Sequence, residues 1–308
     1  MKKRNILLAG IAMLIPLSLI LSGNIVSAAT DDTHFSFAVL GDTQKFKAGA
    51  AKGGLQRAVS RISKKKVDFV LAMGDLASSC KGDDKCSKSW KKWKKIVYAD
   101  LPKAYLVMGN HDRTTHQADD LWQDTFDLPT NGPDGFEELV YSFDNGNSHF
   151  VILNSEKPDW HSISQEQLNW LEEDLKNDEK DNIFVFFHEP AWPVSSKIGE
   201  SLDVNASERD SLWSILANYN VTAVFSGHEH LYSRRKIDKS VLPGVKNDIY
   251  QFIVGNTDAY RHNAPKKKIT DFYYRNKSYV VVSVNGKEVT VKDYKLNGNA
   301  VDTFKFSK

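Results

Sequence analysis

Short apolar runs recur along this chain, and amphipathic helical patterns lie between several of them. The apolar runs, each with the length and composition of a buried strand, are residues 35–40, 67–73, 104–108, 183–187 and 222–225. The patterns with apolar positions at helical spacing are residues 55–62, 87–98, 164–176 and 206–218. Strands that alternate with helices predict a layered α/β fold built on a β-sheet.

The rest of the chain contains antiparallel signals. Residues 141–143 and 149–153 flank Asp-Asn-Gly-Asn, and residues 279–284 and 289–294 flank Asn-Gly, which is typical of a hairpin turn. The C-terminal third is therefore expected to be mostly antiparallel β-structure. Because nothing resembling a linker divides the two patterns, residues 29–308 are predicted to form one α/β domain.

The N-terminus has the composition of a secretory signal peptide. A basic start is followed by an apolar stretch over residues 6–21 and by small residues at 26–29. The alternative is an uncleaved membrane anchor, but the apolar stretch is short for a span and contains Pro16. We therefore expect residues 1–28 to be removed and the mature protein to be secreted or periplasmic, without membrane contact.

The charge balance argues against a polyanion-binding protein. Removing Lys2, Lys3 and Arg4 from the 41 basic residues leaves 38, against 39 acidic residues. A nearly neutral chain offers no general attraction for nucleic acid, and no specific nucleic-acid module is recognisable in the sequence. A small-molecule ligand is the better expectation.

Two cysteines, Cys80 and Cys86, enclose a short polar loop. In an exported protein, an isolated close pair favours a disulfide. A metal thiolate pair is the alternative, but the chain has no second cysteine pair to complete such a site.

Each of the five predicted strands ends in polar residues that can bind a metal. These ends are Gly41-Asp42-Thr43-Gln44, Gly74-Asp75-Leu76, Gly109-Asn110-His111-Asp112, His188-Glu189-Pro190 and Ser226-Gly227-His228-Glu229-His230. One Gly-Asp after a strand is usually an ordinary turn. Five successive strand ends with oxygen and imidazole ligands instead indicate a metal site, because ligands of open α/β sheets bind at the carboxyl ends of the strands.

These strand ends resemble the motifs of the calcineurin-like metallophosphoesterase superfamily, from residue 35 to about residue 233. The stretch from Phe126 to Glu156 is also similar to the purple acid phosphatase branch. The resemblance implies a four-layer αββα sandwich with mixed β-sheets and a metal site at the carboxyl ends of the strands. It also implies two divalent or trivalent metal ions, with Mn or Fe favoured and Zn as an alternative.

The resemblance further implies which residues hold the two ions. The first set is Asp42, Gln44, Asp75 and His230. The second set is Asp75, Asn110, His188 and His228, so that Asp75 bridges the two ions. Imidazole and oxygen ligands suit Mn, Fe or Zn, and a two-metal centre can activate water and compensate the charge of a phosphoryl group.

The residues after the third strand are expected to contact the substrate. By resemblance, His111 is the acid near the leaving group, and Asp112 orients it. A neighbouring carboxylate could keep the imidazole charged. Arg113 directly follows and could pair with a phosphate oxygen, and Asn110 is expected to bind substrate as well as metal.

Two positions depart from the family pattern. Gln44 stands where the superfamily usually has His, and its neutral amide is a weaker ligand than imidazole, so we expect the first metal position to fill weakly. Ser78 stands where the purple acid phosphatases have the Tyr that binds ferric iron, so iron-loaded protein is expected to lack the purple colour. The alternative is that Gln44 is not a ligand and only hydrogen-bonds a metal-bound water.

The sequence thus predicts an exported metal-dependent phosphoesterase that hydrolyses small phosphate esters with a metal-bound hydroxide at a binuclear centre. The alternative is a weakly active or inactive protein that binds metal or phosphate on the same fold. The sequence does not distinguish monoester, diester and pyrophosphate substrates, because a fold does not determine specificity.

Overall fold

Two β-sheets form the centre of the protein in the computed structural model, which describes residues 33–45, 53–77, 82–265 and 269–308. These described residues form one compact unit. The predicted signal peptide, residues 1–28, lies outside the described residues. Within the described residues, no helix has both the length and the apolar composition needed to cross a membrane.

The first sheet has six strands and combines parallel and antiparallel pairs. Its members are β1 (His34–Leu40), β2 (Phe69–Ala72), β3 (Ala104–Leu106), β11 (Ser278–Asn285), β12 (Glu288–Lys295) and β13 (Ala300–Ser307). The strand order is β13-β12-β11-β1-β2-β3. The parallel strands β1, β2 and β3 therefore lie side by side and end at the same edge of the sheet.

The second sheet has seven strands and is also mixed. Its members are β4 (Tyr141–Asn145), β5 (Ser148–Ile152), β6 (Asn182–Phe186), β7 (Ala223–Ser226), β8 (Tyr232–Ile237), β9 (Ile249–Val254) and β10 (Phe272–Tyr274). The strand order is β10-β8-β9-β7-β6-β5-β4. Strands β5, β6, β7 and β9 are parallel neighbours, so β6 and β7 end at one edge as well.

Five α-helices accompany the sheets in the described part of the chain. They are α1 (Gly54–Ile62), α2 (Asp83–Val97), α3 (Ala118–Thr125), α4 (Gln165–Lys176) and α5 (Ala206–Asn218). Helix α2 packs against α1 and α3, and α4 packs against α5. The start of α5 is set by Asn205, whose side chain accepts a hydrogen bond from the Glu208 backbone N–H while its amide donates to the Glu208 carboxylate.

Phenylalanines of the two sheets interlock between them. Phe37 of β1 meets Phe150 of β5 edge-to-face with ring centroids 5.4 Å apart, and Phe184 of β6 at 5.6 Å. Phe69 of β2 meets Phe150 at 5.1 Å. Each such pair contributes about 0.5–1.5 kcal/mol beyond the burial of its area. The sheets therefore pack face to face, and the predicted αββα sandwich with mixed sheets is confirmed.

Candidate metal centre

The predicted ligand residues all follow strands that end on the same side of the two sheets. The chain turns abruptly there, and Asp42, Asp75 and His228 adopt left-handed backbone angles, with φ of 49°, 52° and 63°. This conformation costs a residue other than glycine on the order of 1–3 kcal/mol, and such strain is concentrated at functional sites. The turns aim the side chains that directly follow the strands into the space between the loops.

A glycine permits the loops to approach each other. A Cβ atom at Gly109 would overlap the backbone nitrogen of Asp75 and the Asp75 carboxylate. Only glycine therefore fits at this position, which explains why Gly109 precedes the Asn-His-Asp motif.

The carboxylate of Asp75 lies between two groups of ligand residues. Its Oδ2 accepts a hydrogen bond from the side-chain amide of Gln44. Its Oδ1 lies 3.5 Å from His188 Nε2 and accepts a hydrogen bond from the His111 backbone N–H at 2.8 Å. The two oxygens of one buried carboxylate thus face different partners.

The first group continues from Gln44 through His230 to Asp42. Gln44 Nε2 lies 3.4 Å from His230 Nε2, which lies 3.3 Å from Asp42 Oδ1. All three side chains are buried or nearly so: Asp42 is 0% and Gln44 8% exposed, and the His230 side chain is 12% exposed. The structure therefore brings Asp42, Gln44, Asp75 and His230 together.

The second group continues from His188 through Asn110 to His228. His188 Nε2 lies 3.2 Å from Asn110 Oδ1, and the same oxygen lies 3.1 Å from His228 Nδ1. The two imidazole rings have centroids 5.1 Å apart. Asn110 therefore sits between the two histidines, as a shared ligand set requires.

In each of the three histidines, one ring nitrogen donates a hydrogen bond to a backbone carbonyl. His188 Nδ1 donates to Met73 O at 2.6 Å, and His230 Nδ1 donates to Tyr260 O at 2.6 Å. His228 Nε2 donates to Glu200 O at 2.9 Å. A carbonyl can only accept, so these nitrogens carry protons and the opposite nitrogens face the site, where they offer lone pairs once the rings are neutral. This arrangement is typical of metal-binding histidines.

The buried charges of the site fit a bound cation. Asp42 Oδ1 is buried and, among the described residues, has no hydrogen-bond partner. Ligand atoms of Asp42, Asp75 and His188 all lie within 4.8 Å of one another. Burial raises the pKa of Asp42. Burial disfavours a charged His188, but the charges of Asp75 and Asp42 outweigh this effect and raise its pKa to about 9. The carboxylates thus favour positive charge between them, which metal ions can supply.

His111 lies at the mouth of the site, with 47% of its side chain exposed. Its Nε2 lies 4.0 Å from Asp75 Oδ2, so the nearest carboxylate to the ring is that of Asp75. A histidine that is both accessible and next to the ligand cluster is suitably placed to meet a substrate.

The structure corrects the expected role of Asp112. Its fully buried carboxylate accepts hydrogen bonds from Trp90 Nε1 at 2.9 Å and from the backbone N–H groups of Leu76 and Gly109 at 3.2 and 3.1 Å. Burial and the nearby charge of Asp75 raise its pKa to about 7. Asp112 therefore fastens the loops to each other and to α2, and the contact with the His111 ring that its predicted role requires does not form.

The hydrogen-bond partners of Arg113 also differ from the expected phosphate. Its Nη1 donates to the carbonyls of Glu156 and Pro158, the latter at 3.1 Å, and its Nε donates to Asp119 Oδ1 at 3.3 Å. Three partners within the chain hold the guanidinium in place. In this arrangement Arg113 braces the loop around Pro158, and a contact with phosphate would require it to exchange partners.

Two buried glutamates beside the site were not predicted. Glu189 Oε1 lies 3.9 Å from His228 Nε2, and its Oε2 lies 2.6 Å from His161 Nδ1. Burial and the charge of Glu156 raise the pKa of Glu189 to about 10, and burial raises that of Glu156 to about 7. The position of Glu189 directly after His188 was the available signal in the sequence. No such signal marks Glu156.

Two residues named in the predictions lie outside the described residues. They are Ser78, which replaces the iron-binding Tyr, and Cys80. Cys86 is buried in the first turns of α2. The Cys80–Cys86 disulfide therefore stays a prediction.

Comparison with known proteins decides the family. The sequence model of the calcineurin-like phosphoesterase family matches residues 35–232. The chain belongs to the calcineurin-like phosphoesterase family. The match spans all five strand ends, so the suspected superfamily is confirmed.

Purple acid phosphatases are among the relatives of this calcineurin-like phosphoesterase. It is 28% identical to purple acid phosphatase 22 of Arabidopsis thaliana over 210 residues, which cover 65% of this chain and 45% of the plant protein. It is 24% identical to human (Homo sapiens) tartrate-resistant acid phosphatase type 5 over 263 residues, 76% of this chain and 77% of the human one. The chain thus spans less than half of the plant relative.

A solved structure shows the same fold. Purple acid phosphatase PPD1 from yellow lupin (Lupinus luteus) seeds superposes with a TM-score of 0.73 at 19% sequence identity. The superposition covers 89% of this calcineurin-like phosphoesterase and 54% of the lupin chain. The resemblance in fold extends beyond residue 232 into the β-rich C-terminal part.

Proposed function

We propose that this protein is an exported hydrolase that cleaves small phosphoesters at a centre of two metal ions. The observation that carries the proposal is the position of Asp75, whose two oxygens face two separate ligand groups. A carboxylate in that position can bridge two cations. The names of the relatives, purple acid phosphatase and tartrate-resistant acid phosphatase, support phosphoester hydrolysis.

The ligand chemistry favours transition metals. The group of Asp42, Asp75 and His230 offers mainly carboxylate oxygens, whereas His188 and His228 give the other group two imidazoles. Mixed oxygen and imidazole ligands suit Mn, Fe or Zn. When bound, two such ions would supply positive charge for the phosphoryl oxygens and would lower the pKa of a water for attack.

The chain's own residues would orient the substrate and move a proton. In the hydrolysis, the oxygen of water bonds to phosphorus, and the bond from phosphorus to the leaving oxygen breaks. His111 at the mouth of the site can give that leaving oxygen its proton. The Asn110 amide directs its oxygen to the histidines, and its N–H groups can donate to a phosphoryl oxygen.

A substrate panel tests the proposal. Para-nitrophenyl phosphate and bis-para-nitrophenyl phosphate are offered to the purified protein with Mn, Fe, Zn or Mg, and metal content is measured on the same preparation. We expect metal-dependent hydrolysis that Asp75→Asn abolishes and that Asp120→Asn, on the exposed side of α3, leaves unchanged. Bound metal without hydrolysis of either ester would instead support the non-catalytic alternative.

Export is a separate part of the proposal. It is supported by the basic, apolar and small-residue order of residues 1–28. N-terminal sequencing of protein collected outside the cytoplasm tests it, and we expect the mature chain to begin near residue 29. Protein that remains in the membrane fraction with residue 1 intact would contradict cleavage.

A further inference from the structure

A cavity of about 350 Å³ opens beside His230. This volume lies within the range of about 300–1,000 Å³ that is usual for small-molecule sites. His230 belongs to the candidate metal centre, so the cavity adjoins the place where a phosphoryl group would react. Four cationic side chains line it and define what we call the basic cavity: Lys45, Arg261, Arg275 and Lys277.

One carboxylate compensates part of this charge. The Lys277 ammonium pairs with Asp258 Oδ1. Asp258 Oδ2 also accepts a hydrogen bond from the Leu55 backbone N–H at 3.1 Å, at the start of α1. The carboxylate is therefore already shared between Lys277 and the end of a helix.

The two arginines of the basic cavity are positioned by neutral groups. Arg275 donates from Nε and Nη2 to the His262 carbonyl at 3.0 and 2.8 Å. Arg261 donates from Nη1 to Asn276 Oδ1 at 3.3 Å. In the described ranges of the chain, no carboxylate oxygen lies within 4.0 Å of either guanidinium. Both guanidinium groups are therefore held in place with their positive charge uncompensated.

We propose that the basic cavity binds a second phosphate of the substrate while the phosphoryl group to be cleaved lies at the metal centre. The inference rests on the proposed function and names its substrate class: phosphoesters that carry another phosphate. Guanidinium groups suit this role, since their planar set of N–H donors matches phosphate oxygens. Tyr260, 72% exposed at the rim, carries the Lys45 ammonium over its ring, so a neutral group also holds this third cation at the cavity.

Arg261 is the residue to test. Lys277 helps to hold α1 through Asp258. Arg275 fixes the carbonyl of His262, and the ring of His262 stacks on the ring of His230 with centroids 3.9 Å apart. Replacing either would disturb other parts of the structure. Arg261 is exposed and contacts Asn276, so Arg261→Gln removes charge from the cavity with little effect on the fold.

The experiment compares phosphate release from adenosine 3′,5′-bisphosphate and from adenosine 5′-monophosphate, which differ by one phosphate. We expect wild type to favour the bisphosphate by about tenfold or more in kcat/KM, the usual value of a charge-assisted hydrogen bond. Arg261→Gln should remove most of this preference while its rate with the monophosphate stays within about twofold. The matched control is Arg61→Gln, which alters an exposed arginine at the end of α1 and should keep the preference for the bisphosphate.

A binding measurement separates this inference from the proposed function. Inorganic phosphate is titrated calorimetrically into protein stripped of metal by dialysis, and Arg261→Gln should weaken binding about tenfold relative to wild type and Arg61→Gln. Equal rates with both nucleotides and unchanged phosphate binding in Arg261→Gln would overturn the inference, even if hydrolysis itself is found. If no ester is hydrolysed, the proposed function fails, and the calorimetric result still decides whether the basic cavity binds phosphate.

Discussion

Trp93 of α2 donates its indole N–H to the hydroxyl of Thr43, 2.9 Å away, between the candidate ligands Asp42 and Gln44. The same hydroxyl donates to Leu76 O at 3.0 Å, in the loop after β2. One helix turn away, Trp90 donates to Asp112 in the loop after β3. The buried face of α2 thus positions three strand-end loops, and its tryptophans have a role beyond filling the core.

We predict that Trp93→Phe loosens the first ligand group. The substitution keeps an aromatic ring but removes the N–H, which costs about 1 kcal/mol of unfolding free energy. Metal affinity should fall together with the unfolding free energy, because the loop that contains Thr43 carries two candidate ligands. Urea unfolding and metal titration measure both effects. Trp160→Phe, at a tryptophan that is 53% exposed, is the control, and unchanged metal affinity in Trp93→Phe would contradict the prediction.

Gln44→His is predicted to strengthen the first metal position. An imidazole binds Mn, Fe and Zn more tightly than a neutral amide does. After dialysis, wild type should hold less than a full complement of metal, whereas Gln44→His should hold more and favour Zn. Metal content is measured by mass spectrometry, and activity is followed against Mn concentration. Equal stoichiometry and equal Mn dependence in the two proteins would refute a weak first position.

His111→Ala tests the proposed acid. Loss of a general acid lowers kcat by about 10²–10⁴-fold, and the loss should be larger for an alkyl phosphate than for para-nitrophenyl phosphate, whose leaving group needs little protonation. Metal content should stay as in wild type. His116→Ala, at an exposed histidine, serves as the control. An equal loss with both leaving groups would argue against proton donation by His111.

His149 predicts a pH dependence of stability away from the metal centre. Burial disfavours its charged form, but hydrogen bonds with Asp174 at 2.8 Å and Asp144 at 2.7 Å outweigh this and raise its pKa to about 9. Because this pKa lies above the unfolded value of about 6.5, the stabilisation that charged His149 provides is complete below pH 6.5. It is lost as pH rises through 9. Metal-free protein should therefore be more stable at pH 6 than at pH 9.5.

The comparison that checks this is His149→Gln against His116→Gln. Thermal unfolding at several pH values should show a smaller difference between pH 6 and pH 9.5 in His149→Gln than in wild type, and an unchanged difference in His116→Gln. An undiminished difference in His149→Gln would show that other groups cause the pH dependence.

The sequence could indicate the candidate ligand positions because they depend on local features. A carboxylate or histidine directly after a buried strand of a parallel sheet lies at the ligand-binding edge, whatever else surrounds it. The orientations of the Asp112 and Arg113 side chains depend instead on groups that are distant in the sequence. Trp90 of α2 donates a hydrogen bond to the Asp112 carboxylate. The Arg113 guanidinium donates one to the Pro158 carbonyl. Such contacts leave no periodic pattern in the sequence.

Some elements of the fold were missed for similar reasons. Strand β8 contains Arg234, whose Nε donates to Asp302 of β13 at 2.8 Å, so a charged residue is accommodated inside the sheet by a partner 68 positions away. Strand β13 alternates exposed and half-buried positions at the edge of its sheet. Helix α3 has only eight residues. None of the three has the apolar pattern that identified the other elements.

The number of metal ions bound per chain in Asp42→Asn and Asp75→Asn tests the central claim most directly. Wild type supplied with saturating Mn should hold two ions, as measured by mass spectrometry alongside protein concentration. We predict that Asp42→Asn, which alters the first group alone, loses one ion and that Asp75→Asn, which alters the residue between the groups, loses both. Two ions retained by Asp75→Asn would contradict the account of a bridging carboxylate.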